Sequence, residues 1–231
     1  MNEPAKSTWK ELGVALLVLA VVCALLMALV PTFGRIAERS NITKGINNCR
    51  QVITALRLYA SDHDGKYPDA LLRDPQSANE VFRELFKEGI LDNEMIFGCP
   101  LSPFNPDGNI DPTSPDKVEA VKAGENHWAM TAGLKDSSAG SIPLVYENPA
   151  VASWPPKWDA SAKEKPVRGR RWLNGIIVGM NDSSVDVQPL AAKKGTVTLK
   201  EVADGKDLFE LANDKTKSPP WRILDVEVAP K

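Results

Sequence analysis

One uninterrupted apolar stretch begins at Leu12 and ends at Val30, and it contains no charge, amide or hydroxyl group. As a helix this stretch would be about 28 Å long, which is close to the hydrocarbon thickness of a bilayer. Backbone polar groups inside a bilayer must be paired within the segment, so a lone span there has to be helical. We therefore expect a transmembrane helix surrounded by membrane lipid. A buried core helix and a cleaved signal peptide are the alternatives.

A stripe of apolar residues continues the helical period beyond that stretch. Its members follow one another at steps of three and four: Ile42, Ile46, Cys49, Val52, Ile53, Leu56 and Tyr59. Gly65 supplies a left-handed cap and Pro68 cannot easily continue a helix, so we expect the helix to end near Asp62. Pro31 should kink or loosen it at the edge of the bilayer. The sequence predicts one long helix over 12–62, whose second half packs on a folded domain.

The predicted organisation has four parts: a polar N-terminus at 1–11, the transmembrane helix at 12–30, its extramembrane continuation at 31–65 and a globular domain at 66–231. The formal net charge of −2 provides no basic field, so we expect no nucleic-acid partner.

Local patterns in the domain favour an α+β fold in which the long helix packs on a small antiparallel sheet. Ser77 and Glu80 have capping-box spacing before a helix over 78–88. Strand patterns occur at 127–133, 142–147, 175–180 and 184–188, and weaker signals indicate a strand at 196–199, a helical turn at 208–213 and an edge strand at 221–228. The segment 153–171 is expected to be an exposed, extended connection that aromatic residues hold to the core. The alternative is that the Trp- and Arg-rich stretch 154–172 binds a polyanion or a sugar.

The residues that could support catalysis are few. Cys49 lies on the helix stripe, Cys99 precedes a proline, and His127 begins a strand, so no Cys–His nucleophile pair is expected. The two histidines are far apart, and no zinc spacing or nucleotide-binding motif is present. We expect no catalytic residue, no cofactor and no enzymatic activity.

One loop has a weak calcium pattern. Asp107, Asn109 and Asp111 alternate as oxygen ligands do in a calcium loop, but Gly108 is misplaced and no glutamate follows at the twelfth position. A series of Asx turns is the alternative.

The segment from Asn47 to Pro68, NNCRQVITALRLYASDHDGKYP, resembles a stretch of bacterial type IV pilin-like and type II secretion pseudopilin-like proteins, notably of planctomycete and verrucomicrobial type. The tetrapeptide FGCP at 97–100 is similar to their "F-x-C-P" connector, and the segment 175–187 to their closing hairpin, with Asp182 at its aspartate.

The resemblance implies a membrane-anchored structural subunit of a type II secretion or type IV pilus-like assembly, acting by helix packing. Its partners would be other pilin-like subunits or secretion-system membrane proteins, and it could form homo-oligomers. It would be a single-pass protein of the bacterial inner membrane with its domain outside the cytoplasm. This sequence departs from the family's processing site, because Val18 stands five residues after Gly13, where the family has a glutamate. A non-polymerising, membrane-anchored binding domain of pilin fold is therefore the alternative.

The resemblance also bears on two cysteines. Cys49 and Cys99 match cysteines of the resembling family, and an exported domain lies where disulfides persist. A disulfide between them is one expectation, and two buried free thiols are the other.

Overall fold

The computed structural model describes residues 5–161, 175–212 and 221–229, and for helix residues 5–8, 10 and 25–35 it describes the backbone alone. The chain divides into two compact units, Met1–Ser40 and Asn41–Lys231.

Helix α1, Ala5–Asp62, runs for 58 residues without a break at Pro31. It ends as predicted, because Gly65 adopts a left-handed φ of 75° and its N–H donates to the Ala60 carbonyl at 2.8 Å. The prediction of one long helix ending at Asp62 is confirmed, and the helix begins earlier, at Ala5.

The predicted transmembrane helix from Leu12 to Val30 needs correction. Over the ranges with described placement, no helix is long and apolar enough to cross a membrane.

The central element of the second unit is an antiparallel sheet of five strands in the order β5-β4-β2-β1-β7. The strands are β1 (Trp128–Thr131), β2 (Pro143–Glu147), β4 (Ile176–Met180), β5 (Val185–Gln188) and β7 (Ile223–Leu224). Two short strands, β3 (Trp158–Asp159) and β6 (Thr196–Val197), pair separately. The α+β class, the hairpin of β4 with β5 and the late edge strand were all predicted correctly.

One face of this sheet packs against α1. The α1 side chains in this core are fully or almost fully buried: Cys49, Val52, Ile53, Ala55, Leu56, Tyr59 and Ala60. Ile42 and Ile46 are partly buried at its margin. The helical stripe therefore predicted the packing face of α1 correctly.

Gly179 in β4 allows α1 to approach the sheet closely. A Cβ at this position would meet Ile53 Cδ1 and would lie 2.8 Å from Cys49 Sγ.

We expect Gly179→Ala to lower the free energy of unfolding by about 1–3 kcal/mol, because the core must shift to accept one methyl group. Urea denaturation monitored by circular dichroism measures it. Gly13→Ala is the matched control, since its Cβ would meet nothing within 4 Å. Equal stability of the two variants would contradict this close approach.

A second apolar cluster covers the other face of the sheet, and the sequence did not predict it. The cluster contains Ala129, Tyr146, Trp158, Ile176, Val178, Leu199 and Phe209. Trp158 is fully buried, as expected of an aromatic residue that holds the segment 153–171 to the core. Of this segment, residues 162–171 lie outside the described residues. Phe209 comes from helix α3, Leu208–Leu211, which forms where the helical turn was predicted.

Helix α2, Ala78–Lys87, begins at the predicted cap. The Ser77 hydroxyl accepts from Glu80 N at 3.1 Å, while the Glu80 carboxylate accepts from Gln76 N. Only the first half of the capping box is therefore formed. The Glu80 carboxylate binds the backbone N–H of the residue before the cap instead of the N–H of Ser77 itself. The apolar face of α2 joins the α1 core through Val81, Phe82, Leu85 and Phe86.

Candidate functional site

Three chemically versatile side chains meet in the interior of the second unit. Cys99 follows a 3-10 turn at Met95–Phe97, His127 directly precedes β1, and Glu147 is the last residue of β2. Backbone hydrogen bonds join these segments, since His127 N donates to Phe97 O at 2.8 Å and Asn148 N donates to His127 O at 3.1 Å. The cluster therefore belongs to the hydrogen-bonded framework of the sheet.

The donor atoms of the cluster face one another. His127 Nε2 lies 3.1 Å from Glu147 Oε1, and Cys99 Sγ lies 3.9 Å from the same oxygen. One donor atom from each residue lies within 4.8 Å of the others. His127 and Glu147 are 0% exposed and Cys99 is 4% exposed. A thiol, an imidazole and a carboxylate are thus concentrated where water has little access.

A surrounding layer of hydrogen bonds orients the histidine and the glutamate. His127 Nδ1 lies 2.8 Å from Ser102 Oγ and 3.1 Å from Asn148 Nδ2. Glu147 Oε2 accepts from Ile177 N at 3.1 Å, so its Oε1 is the oxygen left facing His127 and Cys99. The imidazole and the carboxylate are therefore held in defined orientations.

Two kinds of chemistry are open to such a group. A thiol beside an imidazole that contacts a carboxylate has the composition of a nucleophilic relay, and the same three side chains are common transition-metal ligands. The burial of Cys99 disfavours the first, because a substrate could reach the thiol only if the surrounding core opened. The sequence analysis did not pair Cys99 with His127. The β1–β2 hairpin was the available signal, since Trp128 pairs with Glu147 and so brings His127 to the end of β2.

The candidate calcium residues form Asx turns. Asp107 Oδ1 accepts from Asn109 N at 2.7 Å, Asn109 Oδ1 from Asp111 N at 3.3 Å, and Asp111 Oδ1 from Thr113 N at 3.1 Å. The Asn109 N–H holds the pKa of Asp107 below its usual range, and the Thr113 hydroxyl does the same for Asp111. Each of the three side chains thus already has a donor, which is the Asx-turn alternative.

Asp107 instead joins carboxylates from other parts of the chain. Oxygens of Glu94, Asp107 and Glu125 lie within 4.8 Å of one another. The Lys122 ammonium contacts this group at 3.1 Å from Asp107 and 3.8 Å from Glu125. Lysine therefore supplies the positive charge here, and the group is an ion-pair network of the loop.

The two cysteines named as a possible disulfide are free thiols in this structure. Cys49 Sγ donates to Val145 O at 3.6 Å, while Cys99 Sγ faces Glu147. Burial, and after it the Glu147 carboxylate, raises the pKa of Cys49 well above its ordinary value. Both thiols are buried, and each is directed to its own acceptor.

An open groove of about 400 Å³ lies between α1 and the segment 90–96. Its apolar lining includes Leu58 and Met95, which are 52% and 54% exposed. Among the described residues that line it, Asp92 is the one ionisable side chain. Gln51, Thr54 and Asn93 also line the groove, which therefore combines apolar and polar surface.

No protein-family model, curated protein or solved structure matches this chain.

Proposed function

We propose that this protein is a pseudopilin-like structural subunit, which acts by packing its N-terminal helix against copies of itself. The proposal rests first on the segment Asn47–Pro68, whose sequence resembles that of pseudopilin-like proteins. The packing of that same stretch on an antiparallel sheet agrees with the arrangement that the resemblance implies.

The observation that carries the proposal is the exposed apolar surface of α1 in the first unit. Its large aliphatic side chains are 45–66% exposed: Leu12, Val14, Leu16, Leu17, Val18, Leu19, Val21 and Val22. Contiguous apolar surface of this kind marks an interaction site, since single exposed apolar residues are ordinary but long stretches are not. The stretch 12–24 carries no charge to select a partner of opposite sign. An identical helix is a partner that matches it in length and character.

The contact between copies is expected to be heterologous, so that each helix uses two different faces. Such contacts generate open chains, whereas a two-fold contact stops at a dimer. Val14 and Leu16 point to nearly opposite sides of α1, because residues two apart differ by about 200° around a helix. In a Cys23→Ser background, oxidation of the chain carrying Val14→Cys and Leu16→Cys is expected to produce a ladder of cross-linked species on non-reducing gels.

The matched control places both cysteines on the second unit, as Val118→Cys and Val202→Cys, which are 57% and 61% exposed. This control should remain largely monomeric under the same oxidant. If the helix pair gave no more cross-linking than the control, the structural-subunit proposal would be overturned. The binding-domain alternative, for which the groove beside Leu58 offers apolar surface, would then be favoured.

A further inference from the structure

Cys99, His127 and Glu147 form a compact set of soft and borderline donors inside the second unit. We propose that these three side chains bind one divalent transition-metal ion of the zinc class. The proposal does not depend on self-assembly of the helix, because all three residues belong to the domain built on the sheet.

The donor separations fit a tetrahedral zinc ion. With Zn–N and Zn–O bonds near 2.1 Å and Zn–S near 2.3 Å, ligand atoms should lie about 3.4 Å apart for N and O and about 3.6 Å apart for S and O. The observed separations are 3.1 Å from His127 Nε2 to Glu147 Oε1 and 3.9 Å from Cys99 Sγ to that oxygen. Shifts of about 0.3 Å would bring both separations to these values, which is within rotamer adjustment. The third pair, Cys99 and His127, lies within 4.8 Å.

The groups behind the donors can orient them toward an ion. Binding through His127 Nε2 requires the proton on Nδ1, where Ser102 Oγ at 2.8 Å can accept it. The Asn148 Nδ2 group, 3.1 Å from Nδ1 in this structure, must then turn away. Ile177 N holds Glu147 Oε2, so that Oε1 is presented as a single-oxygen ligand. Asn48 Nδ2 donates to Gly98 O at 2.9 Å and fixes the residue before Cys99 to α1. Each donor is therefore positioned by an element other than the metal itself.

Burial supplies the driving force for binding. A carboxylate, an imidazole and a thiol in a water-poor interior are each costly as charged groups unless paired or bound to a metal. In this structure His127 Nε2 and Cys99 Sγ both contact Glu147 Oε1. One divalent cation would replace these contacts, offset the carboxylate charge and take Cys99 as its thiolate. The three protein donors leave one position of the tetrahedron for water or another ligand.

Metal content and cobalt spectroscopy of the full chain, produced without a histidine tag, test the proposal. After removal of metal with a chelator, the parent chain is expected to take up about one Zn²⁺ per chain. Replacement by Co²⁺ should produce a thiolate-to-cobalt charge-transfer band together with the intense ligand-field bands of tetrahedral cobalt. Less than a tenth of an equivalent of Zn²⁺, or a cobalt complex without the thiolate band, would overturn the assignment.

Single variants identify the donors. Cys99→Ala, His127→Ala and Glu147→Gln are each expected to weaken Zn²⁺ binding by roughly 100-fold or more, and Ser102→Ala by roughly 10-fold. Cys49→Ala is the matched control, because it removes another buried thiol whose acceptor is Val145 O. Loss of binding in Cys49→Ala with full binding in Cys99→Ala would show that the donor set is wrong. If a ligand variant fails to fold, the cobalt spectrum of the parent chain still decides.

Discussion

Replacing Ile53 by Asp is expected to lower the free energy of unfolding by about 3–5 kcal/mol, the cost of leaving a buried charge without a partner. Ile53 is 0% exposed and lies in the α1 stripe, where its Cδ1 is close to Gly179 of β4. A carboxylate there would lie among apolar side chains, against the middle of the sheet. Urea denaturation with linear extrapolation measures the change, provided that the slope with denaturant stays constant.

Two variants separate charge from volume in this experiment. Ile53→Val removes one methyl group and is expected to cost about 0.5–1.5 kcal/mol. Asn47→Asp places the same carboxylate on the exposed face of α1, beside Arg50, and is expected to change stability by less than about 0.5 kcal/mol. If Ile53→Asp were as stable as Asn47→Asp, Ile53 would not be in the core and the assigned packing face of α1 would be wrong.

The features that the sequence predicted well are those encoded locally. The α1 stripe repeats at helical spacing, the Ser77 cap precedes α2 directly, and residues 181–184 form the tight connection between β4 and β5. Each depends on residues within a few positions of one another, where backbone geometry alone limits the choices. The end of α1 is of this kind as well, since Gly65 supplies the required left-handed conformation.

The features that the sequence did not predict depend on contacts between distant segments. Strand β3 pairs Trp158 with Val197 of β6, and neither short strand carries a pattern that names its partner. The Cys99 cluster has the same origin, because its members come from a loop and from the ends of two strands. A long apolar stretch is also compatible with more than one kind of helix, since both a membrane span and a core helix are apolar. The stretch from Leu12 to Val30 favoured a membrane span, whereas the described part of α1 contains no span of sufficient length.

Trp158 shows how a segment rich in tryptophan, proline and charge can nevertheless enter the core. Its indole is 0% exposed, and its Nε1 donates to Glu147 O at 3.1 Å. The ring packs against Tyr146 and Phe209 with centroid separations of 6.5 and 5.7 Å. One side chain thus joins β3 to the end of β2 and to α3. Its removal should expose the second apolar cluster as a unit.

We expect Trp158→Ala to lower the free energy of unfolding by about 3–5 kcal/mol, through lost burial and the cavity that remains. Trp158→Phe should cost less, because it keeps an aromatic ring and loses mainly the hydrogen bond to Glu147 O, worth about 1 kcal/mol. The same urea denaturation measures both, and unfolding should remain a single transition if the two apolar clusters form one cooperative unit.

Trp154 is the matched control for the indole hydrogen bond. It packs on Phe209 with a centroid separation of 5.1 Å, and its buried Nε1 has no hydrogen-bond acceptor among the described residues. Trp154→Phe removes that unsatisfied donor and keeps an aromatic ring, so its stability should equal or exceed that of the parent. A loss below about 1 kcal/mol for Trp158→Ala would show that this face of the sheet contributes little to folding. A loss in Trp154→Phe as large as in Trp158→Phe would show that ring volume, and not the bond to Glu147, sets the cost.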